Sequence, residues 1–198
     1  IKHELKRDPN GSIAIDPSSG NLSMQEVGQR KAGHLAPNYN MGWNNSISYQ
    51  GLTLGFVLSA RVGGLAYSAT QGILDYYGGS KATADARDNG GVPVNFGKVD
   101  AKKYYQTIAT AEGGYGSYYL YSATNVRLQE LSLSYDLPKK WFNNKLNLSI
   151  GLLARNLWMI YCKAPFDPEL SASTSSNYYQ GVDYFMLPST RNIGFNVK

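Results

Sequence analysis

The acidic residues near the end of the chain are the first place to look for chemistry. Asp167 and Glu169 flank Pro168. A glycosidase uses two carboxyl groups that face each other across the scissile bond, about 5–9.5 Å apart in a defined cleft. Two carboxyls on either side of a proline are better explained by a turn, because the fixed φ of proline favours one. We therefore predict that this pair is not catalytic.

Metal-binding and phosphate-binding patterns are weak. Asp85, Asp88 and Asn89 offer oxygen ligands for Ca²⁺, but they lack EF-hand spacing and are better explained as a solvated loop. The two histidines are isolated in the sequence, and a single cysteine excludes an internal disulfide or a thiolate-rich metal cluster. The glycine pairs do not follow a strand into a helix, as a phosphate-binding loop would. We predict no metal and no cofactor.

The composition describes the elements that would have to position any site. Sixteen Tyr and 21 Gly accompany only 17% charged residues, which favours strands and loops over charged amphipathic helices. The formal charge of +5 comes from scattered Lys and Arg, so nucleic-acid binding is not expected. No apolar run approaches the roughly 18 residues of a membrane helix, although a barrel strand needs only about 9–11 alternating residues.

Five segments alternate between apolar and polar residues with a period of two, as strands with two different faces do. In the second of them Leu54, Phe56 and Leu58 share one face, and Thr53 and Gly55 lie between them on the other. The polar faces are rich in Ser, Asn, Thr and Gly but carry few charges, which suits the lumen of a large barrel. The five segments are residues 40–50, 52–62, 125–137, 145–157 and 191–198.

The third segment changes phase along its length. Leu131 and Leu133 share a face, whereas Val126 and Leu128 fall on the polar side. A β-bulge near Gln129 would restore the phase; alternatively, this end of the strand packs against other protein.

The connections between the segments are unequal in length. Residues 50–51 and 138–144 make short connections, whereas residues 63–124 and 158–190 make long ones that leave room for short strands or turns. Short turns alternating with long loops are typical of an outer-membrane barrel, and residues 1–39 would then form a further outer-loop region. The alternation alone fits a secreted, carbohydrate-binding β-sandwich equally well, but such long connections are unusual in a soluble domain.

Several stretches resemble the SusC/RagA family of TonB-dependent transporters. Residues 126–138, VRLQELSLSYDLP, are similar to the family's VRLRELSLSYSLP. The stretches RNLW at 155–158 and FDPE at 166–169 resemble its GRNLF…FDPE, and residues 187–198 resemble its PSTRSFGFNLKLTF. Upstream, NNSISYQG and RVGG match NTFSYKGF and R.GG.

The resemblance implies an all-β fold: an antiparallel up-and-down transmembrane β-barrel, of which this chain would supply only the C-terminal strands. The chain starts at Ile1, without an initiator Met, and we expect a segment of a longer polypeptide with a plug and a TonB-contacting part. The resemblance further implies a non-enzymatic importer of oligosaccharides or peptides in the outer membrane of Bacteroidetes-type bacteria. TonB would supply its energy, and a SusD-like surface lipoprotein would be its partner.

Eight residues follow as candidates for contacts. Four charged residues occupy polar-face positions of the predicted strands, where they would pair with one another or contact the plug or the solute. Two aromatic and two acidic residues fall in the predicted outer loop 158–190 and would make outer-loop contacts. The lumen or plug candidates are Arg61, Arg127, Glu130 and Arg155, and the outer-loop candidates are Trp158, Tyr161, Asp167 and Glu169.

Overall fold

The computed structural model of the chain describes residues 3–26, 28, 30–109, 116–170 and 180–198. Within this part of the chain there are twelve strands, three α-helices and two short 3-10 helices. The strands are β1 (His3–Leu5), β2 (Met24–Glu26), β3 (Tyr39–Tyr49), β4 (Leu52–Val62), β5 (Leu65–Ser68), β6 (Val92–Val94), β7 (Gly97–Val99), β8 (Leu120–Ser122), β9 (Asn125–Asp136), β10 (Ser149–Cys162), β11 (Val182–Asp183) and β12 (Asn192–Val197).

The helices are all short. They are α1 (Ala69–Tyr77), α2 (Lys81–Asp88) and α3 (Ala101–Ala109), and the 3-10 turns are Gly116–Tyr119 and Lys139–Phe142. Within the described residues, no helix combines the length and apolar character that crossing a membrane requires.

The chain divides into two compact units, each assembled from several stretches of sequence. Unit 1 contains the three α-helices and the short strands, and unit 2 contains the five long strands. Unit 1 comprises Ile1–Gly33, Ala66–Tyr121 and Ala172–Phe185, and unit 2 comprises His34–Leu65, Ser122–Ser171 and Met186–Lys198.

Unit 2 is built on one antiparallel sheet. Its strand order is β12-β10-β9-β4-β3, so that strands adjacent in this set along the chain are also adjacent in space. Four of its strands coincide within one or two residues with the alternating segments. The remaining strand, β10, begins four residues later than residue 145 and continues to Cys162 instead of ending at residue 157. It continues because β9 still provides a pairing partner: Cys162 lies opposite Asn125.

A tight turn joins the first two strands of this sheet. Gln50 and Gly51 have φ values of 48° and 85°, as a two-residue hairpin requires. A Cβ atom on Gly51 would lie only 2.9 Å from the carbonyl oxygen of Asp136, so the neighbouring strand end also restricts this position to glycine. The register across the hairpin is regular from Tyr49, opposite Leu52, to Tyr39, opposite Val62.

The bulge that the sequence suggests is present. Val57 lies opposite Glu130 and Leu58 lies opposite Leu128, so Gln129 is the extra residue of β9. Because directly opposed residues point to the same side of a sheet, the bulge returns Leu128 to the apolar face. The change of phase in the sequence therefore reflects a real bulge in β9.

The apolar face of the sheet is exposed over all five strands. Tyr49, Ile193 and Phe195 have exposed fractions of 72%, 77% and 80%. A β-sandwich would bury this face against a second sheet. The exposed apolar side chains on it also include Met41, Trp43, Ile47, Leu52, Leu54, Leu133, Tyr135, Ile150, Leu152, Trp158, Tyr161 and Val197.

Unit 1 has a conventional core. Leu5, Leu22, Val94, Val99, Tyr104 and Ile108 are 2–9% exposed and pack together. Helix α3 contributes Tyr104 and Ile108 from one face, since residues four apart lie one above the other on a helix. Ser68 and Ser80 cap α1 and α2 by accepting hydrogen bonds from the amides of Gln71 and Thr83.

The all-β expectation needs correction here. Residues 63–124, predicted as one long loop, contain three helices and four short strands, and the region predicted as an outer loop before residue 40 contains β1, β2 and the start of β3. The fold is mostly β, in largely antiparallel sheets, with few helices. The helices escaped detection because each has only eight or nine residues, too few for a helical period to stand out.

Candidate functional site

Five of the eight predicted contact residues lie together in unit 2. β9 supplies Arg127 and Glu130, β10 supplies Arg155, and the segment after β10 supplies Asp167 and Glu169. The bulge at Gln129 allows Arg127 and Glu130 to share the polar face, because residues three apart on a regular strand would face opposite sides.

Arg127 forms the centre of the cluster and is only 6% exposed. Its Nη1 and Nη2 atoms donate hydrogen bonds to the two carboxylate oxygens of Asp167, at 3.2 and 2.8 Å. Nη2 also lies 3.4 Å from a carboxylate oxygen of Glu169, and Nε donates to the side chain of Asn125 at 3.2 Å. The guanidinium therefore holds its partner in the two-pronged geometry that is strongest for an arginine–carboxylate pair.

Asp167 is fixed from several directions. Burial by itself raises the pKa of its carboxyl, but hydrogen bonds from Arg127, from the backbone amide of Glu169 and from Ser189 outweigh burial and bring the pKa below its usual value. The amide of Glu169 lies 3.0 Å from the Asp167 carboxylate, so the turn at Pro168 also supports this geometry. Asp167 is thus a buried, ionised anchor for the segment after β10.

Glu130 and Arg155 form a second, more exposed pair. They lie directly opposite each other on β9 and β10, with Nε of Arg155 3.1 Å from a carboxylate oxygen of Glu130. Their side chains are 34% and 62% exposed. A cleft of about 470 Å³ is lined by this pair and by Arg127 and Glu169. It has the size of a small-molecule site and presents charges of both signs.

Sequence reasoning missed four contributors to this arrangement. Asn125 is fully buried, holds Arg127 and donates to the carbonyl of Ala123. Its position two residues before Arg127 on one strand was the available signal, because such residues share a face. Val57, Gln129 and Asn156 complete the lining of the cleft. Asn156 has a φ of 53° and lies where the pairing of β10 with β9 shifts register.

Arg61 lies on the same face but does not line the cleft. It is opposite Asn125 in the register of β4 and β9, and its Nη2 donates to the carbonyl of Leu35 at 3.1 Å. Its buried Nε has no hydrogen-bond partner among the residues that the structure describes.

Trp158 and Tyr161 differ from the prediction. Both belong to β10 and not to a loop, and they lie opposite Leu128 and Val126 on the apolar face. They are 60% and 42% exposed. The polar cluster and these two aromatic residues are therefore on opposite sides of the sheet, and the structure does not bring them together.

The chemistry available in the cleft is recognition of polar or charged groups. Its side chains supply guanidinium donors, carboxylate acceptors and amides. In the described part of the chain, no group of three or more His, Cys, Asp or Glu residues is arranged to hold a metal ion.

Known proteins share both sequence and fold with this chain. No protein-family model matches it. TonB-dependent receptor P3 of Formosa agariphila is 26% identical over 199 residues, which cover 96% of this chain and 19% of the receptor. The RagAB peptide importer in its closed-closed state superposes with a TM-score of 0.64 at 19% identity, over 99% of this chain and 22% of that one. The chain is SusC/RagA-like.

A second RagAB structure gives the same result for the fold. The RagAB peptide transporter superposes with a TM-score of 0.59 at 18% identity, over 99% of this SusC/RagA-like chain. The chain spans only about a fifth of the length of these relatives, namely 19% of the receptor and 22% of each RagAB chain. The resemblance drawn from the sequence motifs is confirmed, and it extends over about a fifth of the length of each relative.

Proposed function

We propose that the chain forms a section of the barrel wall of a TonB-dependent outer-membrane transporter for nutrient uptake. The observation that carries this proposal is the exposed apolar face, which extends across all five strands of the sheet. An apolar patch of this extent is unusual on a soluble monomer. Lipid covers such a face in a membrane barrel, and the weakly charged opposite face then lines a water-filled lumen.

The proposed roles of the charged residues follow from their burial. The side chains of Arg127 and Asp167 are buried and form an ion pair with each other, so they position the segment after β10. Glu130 and Arg155 are accessible, and we assign to them the contacts with the plug or with the passing solute. Arg61 sits on the same polar face and is a further candidate for plug contact.

The solute and the partners are proposed by similarity. The parent protein would import oligosaccharides or peptides, use energy from TonB and act with a SusD-like surface lipoprotein. The names TonB-dependent receptor and peptide importer, carried by proteins of similar sequence or fold, support this proposal. The other candidate, a secreted carbohydrate-binding β-sandwich, is disfavoured because its apolar face would be buried.

Lipid contact can be tested at two adjacent leucines. In the full-length transporter with Cys162→Ser, Leu152 or Leu153 is replaced by cysteine and labelled with a fluorophore. The two labels then report on opposite faces of the sheet. Leu152 lies on the apolar face opposite Phe195, and Leu153 lies on the polar face opposite Gly194. In liposomes, nitroxide-labelled lipid should quench the label at 152, and aqueous iodide should quench the label at 153. Equal quenching of both positions by lipid would contradict the proposed wall.

Transport itself requires a cellular assay. Cells lacking the gene should lose uptake of one class of labelled solute, either oligosaccharide or peptide, and the full-length gene should restore it. Deleting TonB should abolish uptake while leaving the protein in the outer membrane. Uptake that persists without TonB would argue against energised transport even if the barrel wall is correct.

A further inference from the structure

Unit 1 contains a pocket that the proposed transport does not use. It lies among α1, α2 and α3 and has a volume of about 350 Å³. Pockets of roughly 300–1,000 Å³ are typical of sites for small molecules. Three tyrosines, a buried carboxylate and two basic residues contribute to its wall.

The carboxylate belongs to Asp75, which is 6% exposed. One oxygen accepts a hydrogen bond from Nε2 of Gln71 at 2.8 Å, and the other accepts one from the hydroxyl of Tyr119 at 3.2 Å. Both donors are neutral. Among the described residues, Asp75 forms no ion pair with a basic side chain. A buried carboxylate without a counter-charge is costly, and a bound cation would relieve that cost.

The basic residues of the pocket are differently situated. Nη1 of Arg87 donates to the carbonyl of Gly78 at 3.1 Å, which leaves other guanidinium N–H groups available. Lys102 is exposed and, within the described residues, has no side-chain hydrogen bond or ion pair. The pocket therefore offers an uncompensated negative group and, separately, two positive ones.

Tyrosines supply the remaining surface. Tyr77 is 81% exposed and packs edge-on against Tyr76, with ring centroids 5.1 Å apart. The hydroxyl of Tyr105 donates to the carbonyl of Ala82 at 3.3 Å. Burial, and then the negative charge of Asp75, raise the pKa of Tyr105, so its hydroxyl remains a neutral donor at physiological pH. Aromatic faces of this kind attract ammonium groups and pack against apolar carbon.

We propose that this pocket binds a small zwitterion, such as an amino acid or a short peptide with free termini. Asp75 accepts the ammonium group, Lys102 and Arg87 receive the carboxylate, and Tyr77 covers the carbon skeleton. A purely cationic ligand would be repelled by the two basic residues, and a purely anionic one would leave Asp75 uncompensated. The site is complete within unit 1, so its occupation does not depend on the proposed transport.

Binding to the full-length transporter in detergent can test both charges at once. The probes are L-alanyl-L-alanine, its N-acetyl form, its C-terminal amide and the doubly capped dipeptide, measured by isothermal titration. The free dipeptide should bind roughly tenfold more tightly than either singly capped form, because each cap removes one charge-assisted contact.

Two variants assign the charges to residues. Asp75→Asn should bind the N-acetyl form and the free dipeptide alike while still distinguishing the amide. Lys102→Met should weaken the preference for a free carboxylate and keep the preference for a free amine. Lys81→Met removes an exposed charge of α2 outside the pocket lining and should leave all four affinities unchanged.

The outcomes are decisive even if Asp75→Asn is unstable, because Lys102 is on the surface and its replacement should not disturb folding. Failure of the free dipeptide to bind at millimolar concentration would overturn the proposal. So would equal affinity for the free and the singly capped forms, or an unchanged carboxylate preference in Lys102→Met. If the full-length protein shows these binding preferences but imports neither oligosaccharide nor peptide, only the transporter assignment fails and the pocket proposal stands.

Discussion

The two units of the chain treat apolar side chains in opposite ways. Unit 1 buries them: Ile108 is 2% exposed and Leu22 is 6% exposed. Unit 2 leaves Ile193 and Phe195 77% and 80% exposed, and its largest fully buried side chain is the polar Asn125. A protein in water buries its apolar side chains, whereas a barrel wall in lipid exposes them to lipid and keeps polar groups on the lumen side. The difference is what the proposed barrel wall requires, since only the long strands of unit 2 would then contact lipid.

The largest expected effect comes from breaking the buried ion pair of unit 2. Arg127→Met should lower the free energy of unfolding of the full-length transporter by about 3–5 kcal/mol, because it leaves a buried carboxylate without its counter-charge. Asp167, with a side chain 8% exposed, would be that carboxylate. Urea unfolding in detergent would measure the change. A loss below about 1 kcal/mol would mean that unit 2 does not depend on its buried polar residues.

Next in size is a matched pair of isoleucine truncations. Ile108→Ala should cost about 3 kcal/mol, because it opens a cavity in the packed core of unit 1. Ile193→Ala should cost less than about 1 kcal/mol, since mobile lipid can fill the space beside an exposed side chain of a membrane barrel. Amide hydrogen exchange, followed separately in the helices and in the long strands, would show both changes. Comparable costs at the two positions would remove the contrast between the units.

The stability cost of an arginine on each face of the sheet tests the proposal that one face contacts lipid and the other the lumen. Leu152→Arg should destabilise the transporter by about 2–4 kcal/mol if it lies near the membrane midplane, and by less towards an interface. Leu153→Arg, adjacent in sequence but on the polar face, should cost less than about 1 kcal/mol. Folding into liposomes at increasing urea would measure both. Equal costs would contradict the assignment of one face to lipid and the other to the lumen.

A smaller effect concerns acid. The folded pKa of Asp167 is below its ordinary value of 3.8. Its ionised form therefore stabilises unit 2 above that value, and this stabilisation is lost as the pH falls through the lower, folded pKa. We expect the loss to begin below about pH 5 and to be partial, because a protonated Asp167 can still accept a hydrogen bond from Arg127. Thermal unfolding between pH 5 and pH 2 would follow it, and Asp167→Asn should show less of this acid sensitivity.

The sequence predicted unit 2 much better than unit 1. Alternation is a local property, and it recurs on every long strand of unit 2, so the long strands and the bulge at Gln129 could be read directly. Unit 1 depends on contacts between distant stretches, such as Leu5 with Ile108, which no local pattern reveals. The end of β10 was misplaced because Asn156 interrupts the period; Trp158 was therefore assigned to a loop.

The candidate site shows the same limit. Phase, together with the bulge near Gln129, indicated which charges share the polar face, because strand geometry determines it. Phase could not indicate that Arg127 holds Asp167, which is forty residues away, while Glu130 holds Arg155. That choice depends on how the segment after β10 folds back on the sheet. The pocket of unit 1 was not indicated either, because its walls come from three helices that the sequence did not predict.

The smallest expected effect is at the exposed pair, and it separates the two kinds of ion pair in unit 2. Arg155→Met should change the free energy of unfolding by no more than about 1 kcal/mol, because the Arg155 side chain is 62% exposed and water and salt screen its attraction to Glu130. If Arg155 contacts the plug or the solute, the same variant should nevertheless reduce uptake. Stability and uptake measured on one preparation would distinguish these roles. A stability loss as large as that of Arg127→Met would show that Arg155 is a structural anchor and would withdraw it from the transport path.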